Sequence, residues 1–181
     1  LSTDVLVTVS NIIQDVKNNK DEACLKYTRE FDHVLLDTME VTEEELDIQI
    51  SKCDKDFVEA MKLAKKNIED FHKLQKQNGY LLQKEMGIYL GQRVLPLEAV
   101  GIYVPGGRAQ YPSSVLMNAL PAKIAGVKNV VMVTPPDSEG TIHPNIAYAA
   151  KLAGVDKIYK IGGAQAIAAL AYGTQTIDRV R

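Results

Sequence analysis

After residue 98 the chain alternates short β-branched runs with helical segments, and this alternation restricts the possible folds strongly. The runs are "AVGIYV" from residue 99, "NVVMV" from residue 129 and "KIYKI" from residue 157. Short apolar runs with few charges are typical of strands covered on both faces. Helical segments are predicted after them, over residues 113–125, 144–153 and 164–172. Strands that alternate with helices predict βαβ units in a parallel sheet, with right-handed crossovers.

The third unit is followed by "TIDRVR" at residues 176–181, where a new strand is predicted near Arg179. Three strand–helix units and the start of a fourth strand make half of a doubly wound sheet. The sequence also begins at Leu1 rather than at a methionine. We expect the chain to be a piece of a longer polypeptide that supplies the remaining strands. The predicted fold class is α/β, a helical N-terminal region followed by an incomplete Rossmann-like parallel sheet.

The first half of the chain is predicted to be helical. Apolar residues recur at helical spacing in a first segment that Asn18 and Asn19 are expected to end, and a second helix is predicted over residues 21–31. The sequence "TEEE" at 42–45 is typical of a capping box. In that motif Thr42 accepts a hydrogen bond from the backbone of Glu45, while the Glu45 side chain reaches back. These patterns place several helices before the sheet.

The longest helix is predicted over residues 54–77, and Asn78-Gly79 are expected to stop it. Its apolar stripe is made of Phe57, Met61, Ala64, Ile68 and Phe71. Between residues 80 and 96, short β-prone runs separated by glycines predict a hairpin or a pair of strands. We therefore divide the chain into a helical region over residues 1–97, with the hairpin or linker at its end, and a partial Rossmann-like domain over residues 98–181.

The net charge of −2 conceals an asymmetry between the two halves. Residues 1–98 carry 19 acidic and 13 basic side chains, whereas residues 99–181 carry 4 acidic and 8 basic ones. The mildly basic second half suits an anionic ligand, but its charge excess is far too small to predict a nucleic-acid partner.

No run of 18 apolar residues and no export signal occurs, so no membrane partner is predicted. The two cysteines match no C-x-x-C pattern, and we expect buried or half-buried thiols in a reducing, cytoplasmic compartment.

Two glycine turns follow matching strands. The sequences "GIYVPGG" at residues 101–107 and "KIYKIGG" at residues 157–163 share the pattern Ile-Tyr-x-x-Gly-Gly. Ligands of open α/β sheets collect outside the carboxyl ends of the strands, where both turns are expected to lie. Tyr103 precedes the first glycine pair and Gln165 follows the second. These two side chains are therefore expected to approach one crevice if their strands are close neighbours.

The paired glycines have two explanations. Gly106-Gly107 and Gly162-Gly163 lack Cβ atoms, so they can adopt positive φ and let a ligand lie against the backbone. The helix that follows the first pair would add unpaired N–H groups, with Ser113 and Ser114 as caps and Arg108 as a cation in the loop. The alternative is a purely structural turn, because any strand–helix connection can use glycine. Neither turn matches the G-x-x-x-x-G-K-[ST] phosphate loop or the G-x-G-x-x-G dinucleotide pattern.

No catalytic group or metal site is predicted from the residues themselves. The histidines are scattered, at His33, His72 and His143, and neither cysteine lies in a glycine turn or beside a histidine. A zinc site needs several such ligands to converge. The H-E-x-x-H and G-x-S-x-G motifs do not occur. Any acid–base groups are therefore expected elsewhere.

The stretches "VGIYVPGGRAQYPSSVLMNALPAKIAGVKNVVMVTPP" and "YAAKLAGVDKIYKIGGAQAIAALAYGT" closely resemble the histidinol dehydrogenase family. The helical half is similar to the family as well, notably "YTREFD" at 27–32 and "KNIEDFH" at 66–72. The resemblance implies an NAD- and zinc-dependent homodimer of histidine biosynthesis, with sites formed between subunits, on Rossmann-like domains related to aldehyde dehydrogenases. The implied substrate is the small molecule L-histidinol, oxidised to L-histidine through L-histidinaldehyde by two successive hydride transfers.

The resemblance also assigns cofactor contacts. The family's NAD contacts in this part of the sequence correspond to Tyr103 and Gln165, which makes residues 98–181 a partial NAD-binding domain. A G-P-G-N segment, the acid–base Glu–His pair and all zinc ligands are expected beyond Arg181. No catalytic or metal-binding residue is therefore assigned here, and the chain alone is expected to be inactive. The resemblance favours Gly106-Gly107 as a turn on the cofactor side rather than a phosphate cradle.

Two alternatives remain open. A related dehydrogenase of the same family would act on another small polar alcohol, since the substrate pocket is expected mostly outside these residues. A ligand-binding or assembly module without catalysis would use the same turns. A continuous reading frame encoding G-P-G-N and a histidine-rich remainder would support a dehydrogenase, whereas a natural stop near Arg181 would favour the module.

Overall fold

Helices occupy the first part of the chain, and strands alternate with helices in the last part. The computed structural model describes residues 3–106 and 110–181. In chain order its elements are α1 (Thr3–Tyr27), a π-helical turn (Thr28–Asp32), α2 (Glu43–Ser51), α3 (Lys55–Lys73), β1 (Tyr80–Glu85), β2 (Ile88–Gln92), β3 (Ala99–Tyr103), α4 (Pro112–Ala125), β4 (Asn129–Thr134), α5 (Pro144–Ala153), β5 (Lys157–Lys160) and α6 (Gly163–Tyr172). The predicted α/β class is confirmed. None of the helices in the described ranges combines the length and apolar character needed to cross a membrane.

The central sheet is parallel and has the strand order β3-β4-β5. The chain returns to the free side of β3 at its last residue. There Gly101 N donates to Arg181 O at 2.7 Å, and Arg181 N donates to Ala99 O at 3.3 Å. These two bonds to one residue have the pattern of a parallel ladder beside β3. No strand is formed over residues 174–181, so the fourth strand predicted near Arg179 stays a prediction.

The two faces of the sheet bury different side chains, because successive residues of a strand point to opposite faces. On one face Ile102 and Met132 pack in a core with residues of α3, α4 and α5. On the other face Val133 and Tyr159 pack with residues of α1 and α6, and Tyr103 packs against that second core. Helices of the first half thus contribute to both cores. The domain boundary between residues 97 and 98 stays a prediction.

Helix α1 bends at Lys20, where a φ of 54° and a ψ of −125° leave the helical region. A positive φ is strained for a residue that has a Cβ atom. Contacts with the loop after α6 hold the bend, since Lys20 Nζ donates to Gly173 O at 3.2 Å and Asp21 N donates to Gln175 Oε1 at 3.0 Å. Two helical segments are present as predicted, but the break comes at Lys20 rather than at Asn18-Asn19.

Predictions for α2 and α3 are only partly correct. Thr42 accepts from Glu45 N at 3.1 Å as in a capping box, but the Glu45 carboxylate binds Lys160 instead of reaching back. Helix α3 ends at Lys73 rather than at residue 77, and Phe71 in its last turn is exposed. The rest of the predicted stripe packs in or against the first core, namely Phe57, Met61, Ala64 and Ile68.

Strands β1 and β2 form an antiparallel hairpin, which confirms the prediction for this segment. Tyr80 pairs with Gln92 and Leu82 with Leu90. The tight turn uses Gly87, whose φ of 84° favours glycine. Every residue of both strands is exposed. The hairpin is therefore outside both cores.

Asp15 joins the two halves of α1 across the bend. Its carboxylate accepts hydrogen bonds from Lys26 Nζ and the Tyr27 hydroxyl, both at 2.8 Å, and from Asn19 Nδ2 at 2.6 Å. These donors, Lys26 first, lower the pKa of Asp15 to about 2. An aspartate in an unfolded chain titrates at about pH 3.9. The ionised carboxylate therefore stabilises the fold fully above about pH 4, and this contribution is lost as the pH falls toward 2.

We predict that Asp15→Asn lowers the free energy of unfolding by about 1 kcal/mol at pH 7, a modest value because the partner Lys26 is exposed to solvent. The deficit should shrink as the pH falls from about 4 toward 2, because the unfolded unsubstituted chain binds a proton at Asp15 there while the folded chain does not. Urea unfolding followed by circular dichroism measures both effects. Glu22→Gln, which removes an exposed carboxylate from the same helix, is the control. A deficit that does not change with pH would contradict the assigned role.

Candidate functional site

The three parallel strands end side by side. Tyr103 is paired with Val133, and Val133 with Tyr159. The turns after β3 and β5 therefore lie at one edge of the sheet, with the end of β4 between them. This carboxyl edge is where open α/β sheets bind ligands.

Pro135, directly after β4, fills the space between the two turns. A Cβ atom on Gly162 would lie 2.8 Å from Pro135 Cγ, and one on Gly106 would lie 3.3 Å from Pro135 Cδ. Close packing on the proline ring therefore explains these two glycines. Only Gly163 among the described glycines of the pairs has a positive φ, 61°. Gly106 and Gly162 thus make no use of the positive φ that glycine permits, while Gly107 lies outside the described residues.

Tyr103 reaches from the end of β3 to the start of α6. The backbone N–H of Gly163 donates to the Tyr103 hydroxyl oxygen at 3.3 Å. Strand β4 separates β3 from β5, but the tyrosine side chain covers the distance because it lies on the face against which α6 packs. The hydroxyl accepts in this bond, so it can still donate to a ligand. It lies beside the first N–H groups of α6, which carry partial positive charge.

Gln165 lies in the first turn of α6, against Gly163. It is 1% exposed, and its Oε1 atom is buried without a hydrogen-bond partner. A Cβ on Gly163 would lie 2.6 Å from this oxygen, so glycine leaves the room that the amide occupies. A buried acceptor without a donor lowers the stability of the folded state by about 1–3 kcal/mol. The structure thus brings Tyr103 and Gln165 together around Gly163 and leaves one acceptor unsatisfied there.

The first turn differs from its prediction at the start of α4. The helix begins at Pro112, and Tyr111 at the N-cap makes no side-chain capping bond. Ser113 and Ser114 therefore lie inside the helix, and their prediction as caps is wrong. A proline at the first position explains the difference, because it has no N–H to satisfy and its φ is already helical. Arg108, the predicted cation, lies outside the described residues.

Lys160, the last residue of β5, is not singled out by sequence patterns. Its buried ammonium donates to both carboxylate oxygens of Glu45, at 2.9 and 3.1 Å. Its backbone N–H also donates to Met39 O at 2.7 Å, so the chain before α2 lies along the outer edge of β5. The sequence does carry a signal for Lys160, because a lysine inside an apolar run, two residues before a glycine pair, is unusual for a buried strand. The ion pair fixes the second glycine turn against α2.

No three His, Cys, Asp or Glu side chains converge as a metal site within residues 3–106 and 110–181. The zinc ion implied by the resemblance therefore finds no ligand set among them. Both thiols are buried or half-buried, as predicted. Burial raises the pKa of Cys24 to about 12 and also raises the pKa of Cys53. Thiols with raised pKa values are poor nucleophiles, so neither cysteine is a candidate for covalent catalysis.

A large hollow of about 660 Å³ lies at the opposite end of the sheet, lined by residues 96–99, Asn129 and residues 179–181. Ligands of open α/β sheets do not bind at the amino ends of the strands, so this hollow is not the candidate site. At the glycine edge there is a cavity of about 40 Å³, bordered by Gly106, Pro135 and His143 among others. Neither Tyr103 nor Gln165 borders this cavity, so the candidate site is defined by the contacts around Gly163 and not by a cavity.

The chain is similar to known proteins along nearly its whole length. The sequence profile described as histidinol dehydrogenase matches residues 2–181. The chain belongs to the histidinol dehydrogenase family. The histidinol dehydrogenase of Clostridium acetobutylicum is 56% identical over 179 residues, which cover 99% of this chain and 42% of that protein. The histidinol dehydrogenase of Streptococcus mutans is 53% identical over 177 residues, covering 98% and 41%.

A solved structure of the histidinol dehydrogenase family shares the fold. The crystal structure of histidinol dehydrogenase from Elizabethkingia anophelis matches with a TM-score of 0.94 and 39% identity, over 99% of this chain and 42% of that one. The resemblance stated from the glycine-turn motifs is therefore confirmed. The chain spans about two fifths of the length of the histidinol dehydrogenases that it matches.

We predict that Gly162→Ala lowers the free energy of unfolding by about 1–3 kcal/mol, because the added methyl group overpacks the turn against the Pro135 ring. Denaturant unfolding measures the change. In a Pro135→Gly background, which removes both ring atoms nearest to Gly162, the same substitution should cost clearly less. Equal costs in the two backgrounds would show that the contact with Pro135 is not the reason for the glycine.

Proposed function

We propose that this chain supplies the cofactor platform of an NAD-dependent histidinol dehydrogenase. In the proposed reaction L-histidinol, two NAD⁺ and water give L-histidine, two NADH and three protons, with L-histidinaldehyde between the two oxidations. NAD, when bound, accepts one hydride in each oxidation. Family membership supports the activity. The observation that carries this chain's part in it is the convergence of Tyr103 and Gln165 on Gly163.

The groups around Gly163 fit a polar dinucleotide. The unpaired Oε1 of Gln165 can accept from a ribose hydroxyl or a carboxamide N–H, which would remove the cost of its isolation. The hydroxyl of Tyr103 lies at the same point and can donate. The N-terminal N–H groups of α6 attract negatively charged or acceptor groups. An acceptor, a donor and partial positive charge thus lie close together around Gly163.

The surrounding residues keep these groups in place. Pro135 spaces the two turns through its contacts with Gly106 and Gly162. The buried pair of Lys160 and Glu45 holds the end of β5 against α2. These contacts hold the ends of β4 and β5, while the buried Oε1 of Gln165 would become accessible to a ligand donor only after a small movement of its surroundings.

The proposal also covers the remaining active-site groups, the oligomeric state, the compartment and the fold relationship that the family resemblance implies. The acid–base pair, the zinc ligands and most of the substrate pocket belong, in this proposal, to the part of the family sequence that follows position 181. We propose a homodimer in the cytoplasm and a fold relationship to aldehyde dehydrogenases. A continuous reading frame that encodes those parts would support the dehydrogenase, and a panel of small polar alcohols would test the choice of L-histidinol.

We predict that Gln165→Ala in the full-length gene product raises the apparent KM for NAD about fivefold, the effect of one lost hydrogen bond. The KM for L-histidinol should change less, because Gln165 is assigned to the cofactor. Tyr103→Phe, which removes only the hydroxyl, should shift the same constant in the same direction. Steady-state kinetics with each substrate varied in turn measures these constants.

Matched controls separate cofactor binding from general loss of stability. Gln49→Ala removes a buried glutamine from α2, and Tyr159→Phe removes a buried hydroxyl that donates to Thr176 O at 2.8 Å. Neither should change the KM for NAD. Unchanged cofactor kinetics in Gln165→Ala would remove that residue from the site, and activity without dependence on NAD would refute the proposed function.

A further inference from the structure

The turn after β5 is held from both faces of the sheet. On the face that α6 covers, the Gly163 N–H donates to the Tyr103 hydroxyl oxygen at 3.3 Å. The side chain of Lys160 lies on the opposite face, because it follows Tyr159, which packs in the second core. There the Lys160 ammonium donates to both carboxylate oxygens of Glu45, at 2.9 and 3.1 Å. A buried ion pair therefore lies three residues before Gly163, on the face opposite to Tyr103.

A short segment places Glu45 in front of Lys160. The chain before α2 pairs with the outer edge of β5, where Val41 N donates to Ile158 O at 2.9 Å. The next residue, Thr42, caps α2, and Glu45 lies in the first turn of that helix. Only three residues separate Val41 from Glu45. The backbone of β5 therefore helps to set the position of the carboxylate that its own lysine binds.

Stability alone does not account for this ion pair. The side chain of Lys160 is 8% exposed and that of Glu45 is 19% exposed, so both charges have lost most of their water. Apolar side chains of similar volume in such a place often give a fold that is equally stable or more stable. What the ion pair adds is a fixed position, because short charge-assisted hydrogen bonds hold the ammonium at one point relative to the carboxylate.

Side-chain contacts decide where the turn lies once the strand has ended. β5 has only four residues, and Lys160 is its last paired residue, opposite Thr134. Ladder pairing therefore ends two residues before Gly162. Beyond that point the turn is fixed by its packing on Pro135 and by the Lys160 ion pair. Loss of the ion pair would leave the packing contact, so the turn would become more mobile without unfolding.

We propose that Lys160 and Glu45 are positioning residues for cofactor binding. Their ion pair holds the end of β5 at the level where Gly163 meets the Tyr103 hydroxyl. Neither side chain of the pair contacts the cofactor in this proposal, since Lys160 acts through the backbone of the turn and Glu45 acts through Lys160. The inference rests on the proposed function and deepens it, because it makes NAD affinity depend on a contact with helix α2.

Steady-state kinetics of the full-length gene product tests the proposal. The double variant Lys160→Met/Glu45→Leu removes both charges and keeps the site packed. We expect it to raise the apparent KM for NAD about threefold, less than the effect of about fivefold for Gln165→Ala, because it acts only through the turn. The kcat at saturating NAD and the KM for L-histidinol should change less. The midpoint of urea unfolding should not fall, which separates positioning from a loss of stability.

Asp47→Asn is the matched control. Asp47 lies on α2, as Glu45 does, but its carboxylate pairs with Lys151 of α5 instead of with the sheet. The substitution removes an ion pair from the same helix without changing a contact of β5, so the KM for NAD should stay unchanged. An equal rise of this KM in the control and in the double variant would overturn the proposal, because α2 would then act through general contacts.

Hydrogen exchange followed by mass spectrometry gives a readout that needs no cofactor. A peptide that covers residues 161–166 contains the Gly163 N–H. In the double variant this peptide should exchange about threefold faster than in the unsubstituted enzyme, because the turn opens more often. In Asp47→Asn its exchange rate should not change. Equal exchange in the double variant and the unsubstituted enzyme would overturn the proposal.

The kinetic outcomes separate this inference from the proposed function. A KM for NAD that the double variant leaves unchanged would overturn the inference, and if Gln165→Ala raises the KM in the same experiment, the proposed function stands. A KM that rises only together with a lower urea midpoint would also overturn the inference, because it would show a purely structural role. Activity without NAD would refute the proposed function and this inference with it, and the unsubstituted enzyme alone reveals that result.

Discussion

Hydrogen bonds between the parallel strands hold Tyr103, Val133 and Tyr159 level across the sheet. Because the strands run in one direction and in one register, their carboxyl ends meet at a single edge. The two glycine turns and Pro135 then have to share that edge, and their spacing is set by close packing. The alternation of side chains along β3 also directs Tyr103 toward the face that α6 covers. Without this pairing, a tyrosine and a glutamine 62 positions apart would have no reason to meet.

Sequence patterns predict the parts of this structure that local physics decides. β-branched runs and apolar stripes give the order of strands and helices, and the Ile-Tyr-x-x-Gly-Gly repeat locates the edge where Tyr103 and Gln165 meet. What the patterns miss depends on neighbours distant in the chain. Glu45 binds Lys160 instead of completing its capping box, because the sheet brings a buried ammonium within reach. Glycine at position 162 is explained by a proline ring from another strand, which no local pattern contains.

The candidate site combines rigid surroundings with one unsatisfied group. Most buried polar atoms in native proteins have a hydrogen-bond partner, and each exception needs an explanation. Among the described residues the exceptions include Oδ2 of Asp32 and Oε1 of Gln165, and the second lies at a strand end next to a helix start. The fold itself does not determine the reaction, since Rossmann-like sheets support many chemistries. Membership of the histidinol dehydrogenase family narrows that choice for this chain.

The hairpin begins and ends at neighbouring positions. Tyr80 and Gln92 are paired residues, so their Cα atoms lie about 5 Å apart, little more than the 3.8 Å between consecutive residues. The thirteen residues between and including them form a loop whose excision would leave Gly79 and Arg93 close together, with α3 and β3 still connected by the residues on either side. The hairpin forms its own two-stranded sheet and shares no strand pairing with β3, β4 and β5. Its length can therefore change without altering the register that places Tyr103 beside Gly163.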